Sequence, residues 1–426
     1  MPGPTGNALP HGMPRSGPTR RQFLARAALL AASAPALGVL LDACSKGGPS
    51  SSGPSAPSLT IASPSSPVTW DIPPDNEPIA DGLAPEKGAT LQLYSYADYI
   101  SPDAVRSFED KYQTKVQVST FNDTDEAITK IRGGNVDYDI YFPSYDQISR
   151  LVNGGLLKPL NHSYIPNIEN VWSVFTNPWY DQQWRYTTPY TVYTTGIGWR
   201  TDQVPDDIGA LANPYDALWD PKYRNKTAII DDWHTAMAMV LLRNGITDVN
   251  TSSQTDLDMV GEQLRQMVAA TSPKVTITMY NDMPAGQIGL AQMWSGDIIQ
   301  ALGYLPETTP PEVLRYWFPS DGKGLVDNDL MVILKSGKNP VLAHLFLNHM
   351  LDPVSAQQNF TQIGYQPPQK SINPDTLVAD GFIPQNLTAA IVKPEYFDAG
   401  YRLLELDAAN DAAWHNVWRG FKAGGS

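Results

Sequence analysis

Three observations predict an α/β fold of two domains. From Leu91 onward, short runs rich in β-branched and aromatic residues alternate with stretches of helical periodicity, the pattern of parallel or mixed sheets covered by helices. The 426 residues suffice for two domains with substantial cores. A content of 42% hydrophobic and 17% charged residues is that of a globular protein rather than a membrane channel.

The first 43 residues stand apart from this body. Thr19-Arg20-Arg21-Gln22-Phe23-Leu24 resembles a bacterial twin-arginine export signal, and the apolar run from Ala27 to Leu41 supplies its hydrophobic region. That run is too short and too rich in Ala for a transmembrane helix. It ends in Leu41-Asp42-Ala43-Cys44, similar to a lipoprotein cleavage box, although Asp42 departs from the small apolar residue expected there. Cys44 is the single cysteine, which excludes an internal disulfide framework and any cysteine-based site in the body. Its position after the apolar run marks it as a lipid attachment point. Residues 1–43 are therefore expected to be a signal peptide, and without them the chain keeps 26 basic and 43 acidic residues, a formal charge of −17. Residues 44–87, dominated by Ser, Pro and Gly, are expected to be a tether that cannot order itself. Its later part, Val68 through Pro85, carries enough apolar residues to lie against the body.

The body opens on a strand, a turn and a helix. Leu91 and Leu93 alternate with Gln92 and Tyr94, and Ser101-Pro102-Asp103 supplies an N-cap hydroxyl, a proline where no amide partner is needed and a first-turn acid. Further strands are predicted at Lys115–Phe121, Tyr138–Phe142, Thr227–Ile230, Val275–Thr278, Ile288–Trp294 and Leu330–Leu334. Helices are predicted at Glu126–Arg132, Thr235–Asn244, Thr255–Ala270 and Pro340–Leu351. In open α/β sheets ligands bind at the carboxyl ends of strands. Tyr96, Asp98 and Tyr99 occupy such a place, and two phenols with a carboxylate suit a cation.

Much chemistry is absent from the sequence. The net charge of −14 argues against nucleic acid. Six scattered histidines include His344 and His349, five apart and off a common helical face, so no metal site is expected. No nucleophile elbow or Gly-rich phosphate loop occurs, and no cofactor is expected. Asp231-Asp232 and the Asp327/Asp329 pair are adjacent carboxylates, but nothing in the sequence shows two of them facing one another as an acid and base would.

Several stretches in order carry a resemblance: Tyr94-Ser-Tyr-Ala-Asp-Tyr-Ile100, Tyr138-Asp-Ile-Tyr-Phe-Pro-Ser144, Pro189-Tyr190 with Thr194-Thr-Gly-Ile-Gly198, Leu218-Trp-Asp-Pro-Lys-Tyr223, Asp231-Asp232, Met293-Trp-Ser-Gly-Asp297, Lys338-Asn339 and Ile363-Gly-Tyr365. Through them the chain from about Leu91 to Gly424 resembles the bacterial spermidine/putrescine-binding family of transporter receptors. The resemblance implies a two-lobed periplasmic-binding-protein-like fold of type II, with two crossover strands near Val192-Tyr193 and Asp327-Asn328 and a ligand cleft between the lobes. Lobe 1 would be residues 88–192 with 328–373, and lobe 2 residues 193–327 with 374–426.

Carried over by position, the family's aromatic box falls on Tyr96, Tyr99, Trp294 and Tyr365, and its carboxylates on Asp232 and Asp329. Asp327 takes the second role if the register slips by two. Asp232 also fits an N-cap before the helix near Thr235. Asp98, Ser144 and Asp146 are further candidates. Three positions depart from the family: Thr235 stands where a glutamate is common, and Val192 and Asp327 where tryptophans are frequent. Asp146 is a candidate for the replacement charge.

The function implied is a lipid-anchored receptor of an ABC importer, without enzymatic activity, that binds spermidine, putrescine or a similar small organic cation. It would be a monomer exported by the twin-arginine route, held at the outer face of the bacterial cytoplasmic membrane, and partnered by a membrane permease. The alternatives are a receptor for an amino-acid derivative or a sugar, and a carboxylate-based hydrolase. If Tyr99 and Asp232 close on one ligand from opposite lobes, Tyr99→Ala and Asp232→Ala each weaken binding by calorimetry, and unchanged affinity in both places the pocket elsewhere.

Overall fold

The computed structural model describes residues 59–134 and 136–424. The export signal, Cys44 and the first part of the expected tether lie outside the described residues. The first strand, β1 (Thr90–Tyr96), leads through a turn to α1 (Pro102–Tyr112), where the Ser101 side chain accepts from the amides of Asp103 and Ala104. β2 (Lys115–Phe121) returns parallel to β1, with Thr90 opposite Lys115. α2 (Thr124–Arg132), capped by Asp123, then leads to β3 (Ile140–Tyr141) on the other side of β1. A single turn and α3 (Ile148–Asn153) follow.

The chain next makes β4 (Thr187–Arg200), fourteen residues buried throughout. At ~3.4 Å per residue it reaches about 45 Å, long enough to cross two sheet blocks. Its start is fixed by the buried Asp181, whose carboxylate accepts from the amides of Tyr186 and Thr187 and from the Thr187 hydroxyl at 2.8–2.9 Å. A second parallel block comprises β5 (Thr227–Ile230), α4 (Trp233–Arg243), α5 (Gln254–Thr271), β6 (Lys274–Thr276), β7 (Leu290–Trp294) and α6 (Ser295–Gln300). β8 (Leu314–Trp317) pairs with the end of β4, and β9 (Leu325–Ile333) runs back antiparallel along its first half. α7 (Pro340–Met350), α8 (Pro353–Ile363) and the terminal α9 (Ala408–Gly424) complete the body.

The sheet order is β2-β1-β3-β9-β4-β7-β5-β6, with β8 paired to β4. Two parallel blocks are thus joined through the antiparallel β9/β4 pair. The two crossings expected near Val192-Tyr193 and Asp327-Asn328 are register partners in this ladder, Val192 with Asn328 and Tyr193 with Asp327. The exit from β9 is tied down by the buried Asp139, whose carboxylate accepts from the amides of Gln92, Lys338 and Asn339 at 2.8 Å. One core lies around β1, α1, α7 and α8. A second joins Trp414, Trp418 and Phe421 of α9 to α4, α5 and the far half of β4.

Most predicted elements recur with ends moved by a few residues. β9 begins at Leu325 rather than Leu330, and β3 shrinks to two residues. The later part of the tether lies against the body, and the contact begins at Ala62, ahead of Val68. Ala62 and Trp70 are buried, and the Trp70 indole donates to the Tyr180 carbonyl at 2.8 Å. The Val68 amide donates to Trp179, the Val68 carbonyl accepts from Gln182, and the Asn76 amide side chain donates to Leu157. The stretch docks because the body offers its backbone partners and a slot for one indole. Trp70→Ala is therefore expected to cost about 3 kcal/mol in urea denaturation. A free tether would leave the midpoint unchanged.

Candidate functional site

A cavity of about 240 Å³ lies where four strands of the two parallel blocks end. β1 delivers Tyr96 and Tyr99, the chain beyond β3 delivers Ser144 and Asp146, β5 runs into Asp231 and Asp232, and β7 ends at Trp294 before α6 brings Asp297. Beneath them pass β4 and β9. Side chains alternate along a strand, so Thr191 and Tyr193 share a face, as do Asp327 and Asp329 opposite them.

Asp329 is the centre of the arrangement. It is 4% exposed, and three hydroxyls donate to it: Tyr99 at 2.7 Å to Oδ2, with Ser144 at 2.7 Å and Tyr193 at 3.1 Å to Oδ1. Burial pushes its carboxyl up to about 6, and the three hydroxyls act against that rise. Burial also keeps the phenols of Tyr99, Tyr193 and Tyr365 protonated and hence able to donate.

Five rings of the cavity lining form a continuous chain, and two of them, Tyr99 and Tyr193, donate to Asp329. Tyr96 meets Tyr99 edge-on at 5.9 Å, Tyr99 meets Tyr365 at 4.9 Å, Tyr365 meets Tyr193 at 5.8 Å, and Tyr193 meets Trp294 at 6.2 Å. Such walls cover methylene groups, and their faces attract a desolvated cation by about 0.5–2 kcal/mol each.

The remaining charge on the wall is overwhelmingly acidic. Eight aspartates line the cavity, against one arginine and two histidines. Asp232 caps α4 by accepting from the Thr235 amide at 2.8 Å and also faces the cavity, so the cap and the candidate acid are one residue. Asp297 accepts from the Tyr365 phenol at 2.7 Å, while its Oδ2 is buried without a donor, and burial pushes it up to about 7. The Oδ1 of Asp146 is likewise buried without a donor, and burial raises this carboxyl well above the usual range. At the rim, Arg150 reaches Asp125 at 3.0 Å and Glu405 at 3.5 Å, while Lys422 holds Asp231 at 2.6 Å.

Eight expected site residues line one cavity: Tyr96, Tyr99, Ser144, Asp146, Asp232, Trp294, Asp329 and Tyr365. Asp98 does not join them. It is exposed in the turn after β1 at φ +52°, accepts from the Tyr280 phenol at 3.0 Å, and is not part of the cavity lining. The choice between Asp327 and Asp329 dissolves, because residues two apart in β9 share a face and both line the cavity. Val192, marked as a lost ring, is fully buried in the core, and its neighbour Tyr193 supplies a ring instead. Sequence reasoning missed Tyr193 and Asp297, although the alternation around Val192 and the stretch Trp294-Ser-Gly-Asp297 carried the signal. It also missed the wall built by the C-terminal segment, where Leu403, His415 and Trp418 face the cavity.

A family model for bacterial extracellular solute-binding proteins matches residues 103–384, and the chain belongs to that family. It is a family of solute-binding proteins and not of enzymes. The chain is 25% identical over 356 residues to a putrescine/cadaverine-binding protein of Pseudomonas aeruginosa, covering 80% of this chain and 95% of that one. It is 28% identical over 283 residues to spermidine/putrescine-binding periplasmic protein 1 of Haemophilus influenzae, covering 65% and 74%. The solved spermidine/putrescine ABC transporter substrate-binding protein of Streptococcus pneumoniae superposes with a TM-score of 0.63 at 26% identity, covering 80% of this chain and all of that one. The fold is that of the type II periplasmic binding proteins. Among the described residues no helix is long and apolar enough to cross a membrane.

The seat of Tyr365 depends on two glycines. A Cβ on Gly296 would stand 2.3 Å from the Tyr365 ring, and Gly364 ends α8 at φ +73° with its backbone against Gly296 and Gln300. Gly296→Ala is expected to push the Tyr365 ring off Asp297 and to cost about 1–3 kcal/mol of stability. Urea denaturation together with a loss of ligand affinity would register both effects.

Proposed function

We propose that this chain is the receptor of an ABC importer for a linear polyamine or a similar small organic cation, tethered through Cys44 to the outer face of the bacterial cytoplasmic membrane. The observation that carries the reading is Asp329: a buried carboxylate, held by three hydroxyls, in a wall with five linked aromatic rings and eight aspartates. No fixed cation lies within ion-pair distance of it among the described residues, so the missing counter-charge is the ligand's to supply. An ammonium group would donate charge-assisted hydrogen bonds to Asp329 and to the unpartnered oxygens of Asp146 and Asp297. The rings would cover the methylene segments between ammonium groups.

The relatives named for putrescine, cadaverine and spermidine support the same ligand class. In this reading the block β2-β1-β3 and the block β7-β5-β6 are the centres of two lobes, β4 and β9 carry the hinge, and the ligand is clamped between them. The closed form then presents a surface to the permease. A hydrolase is disfavoured because Asp231 is already ion-paired with Lys422.

The burial of these acids sets a pH signature. Asp329 and Asp297 have folded-state values of about 6 and about 7, above the unfolded value of 3.8. The native state therefore binds more protons between about pH 4 and pH 7, and their contribution to the stability of the ligand-free protein falls as pH rises through that window. A cation favours the ionised carboxyls, so affinity should move the opposite way. Putrescine and spermidine, but not neutral sugars, are expected to raise the melting temperature, with ligand at 100 times its dissociation constant adding about 2.7 kcal/mol. Calorimetry should show affinity rising and proton release fading from pH 5 to pH 8. No shift with either amine, or affinity falling across that range, would reject the reading.

A further inference from the structure

Arg402 is a charged residue that the binding site, as described so far, does not use. Tyr401 pairs with Leu325 at the start of β9, and this brings Arg402 alongside the strand that carries Asp327 and Asp329. There its guanidinium donates to the Asn328 side chain at 2.6 Å and lies over the Tyr145 ring at 4.2 Å and the Phe397 ring at 4.9 Å. Its Nε is buried with no acceptor among the described residues. The Tyr145 phenol that it covers donates at 2.5 Å to Oδ1 of Asp327 on the cavity wall. Asp327 is thus the wall carboxylate that faces a resident cation at the back, through one phenol. Asp329, two residues along the same face, has hydroxyl donors alone.

We propose that Arg402 is a specificity-determining residue: by offsetting Asp327 from behind the wall it removes one negative charge from the ligand's side, so that the cavity favours a linear diamine over a triamine. The inference rests on the polyamine reading and refines it. A triamine carries one more positive charge than a diamine and so gains more from each uncompensated carboxylate of the wall, and here the protein's own guanidinium acts on Asp327 through Tyr145. The guanidinium stays charged at any pH the protein meets, and its stacking on two rings holds it in place. It is therefore a fixed setting rather than a switch.

The test is the ratio of spermidine to putrescine affinity, measured by calorimetry on the full exported protein. The wild type should bind putrescine more tightly. Arg402→Gln should raise the ratio about tenfold, the size of one unit charge acting over ~10 Å at an effective dielectric of ~20. Arg402→Lys, which keeps the charge, should hold the wild-type ratio. A purely structural role would weaken both ligands alike and would not be rescued in this way. Should Arg402→Gln fail to fold, Asp327→Asn and the pair Arg402→Gln/Asp327→Asn answer the same question. The single change should lower the ratio, and the double change, which removes both charges, should restore it. A ratio indifferent to the charge at 402, or a double variant that matches Asp327→Asn alone, overturns this proposal and leaves the polyamine reading standing. Failure of the wild type to bind either amine overturns both.

Discussion

The antiparallel ladder between β4 and β9 is the constraint on which the site depends. Among the described residues it is the link between the two parallel blocks in the order of the sheet, and it sets which side chains of both strands face the cavity. Because alternation is strict, Thr191 and Tyr193 lie opposite Asp329 and Asp327, with one polar face formed by both strands at once. A slip of one residue would exchange Tyr193 for Val192 and Asp329 for Asn328 or Leu330, and the carboxylate at the centre would be lost. The buried acids at the two ends, Asp181 at the start of β4 and Asp139 at the exit from β9, pin that register through backbone amides.

The second organising feature is the handling of negative charge. Removing carboxylates from water is costly unless donors or cations meet them. The protein meets this cost differently around the cavity. Asp231 and Asp125 have ion pairs at the rim, Asp327 has a phenol and a guanidinium behind it, and Asp329 has three hydroxyls. Asp146 and Asp297 each retain a buried oxygen without a donor. The wall is therefore graded, with its counter-charges outside or behind and its unmet acceptors inside. That grading suits a guest that brings its own cations, and it explains why burial holds several of these carboxyls above their ordinary range.

Several parts of this were legible in the sequence. Ser101-Pro102-Asp103 spelled a capped helix because capping is a local event among adjacent residues, and α1 begins there. The ordered motifs located the aromatic and acidic residues of four strand ends, eight of which share one cavity. Tyr193 was hidden behind Val192 because a single strand does not declare which of its faces will be wet. Asp98 was overvalued because proximity to Tyr96 and Tyr99 in a turn says nothing of direction, and it stands exposed outside the cavity lining. The apolar residues of Val68 through Pro85 announced a strap against the body but not its partners, such as Tyr180 and Leu157, about 110 and 81 residues away.

What the sequence by itself determined is the local architecture: strands and helices in α/β alternation, their caps, and the residue types able to receive an organic cation. These follow from backbone geometry and side-chain chemistry within a few residues of one another. What only the tertiary structure decided is the pairing of β4 with β9, the arrival of Arg402 and α9 at the cavity from the far end of the chain, and the charge state of each buried aspartate. Those depend on which groups, distant in sequence, exclude water from one another, and no local pattern encodes that.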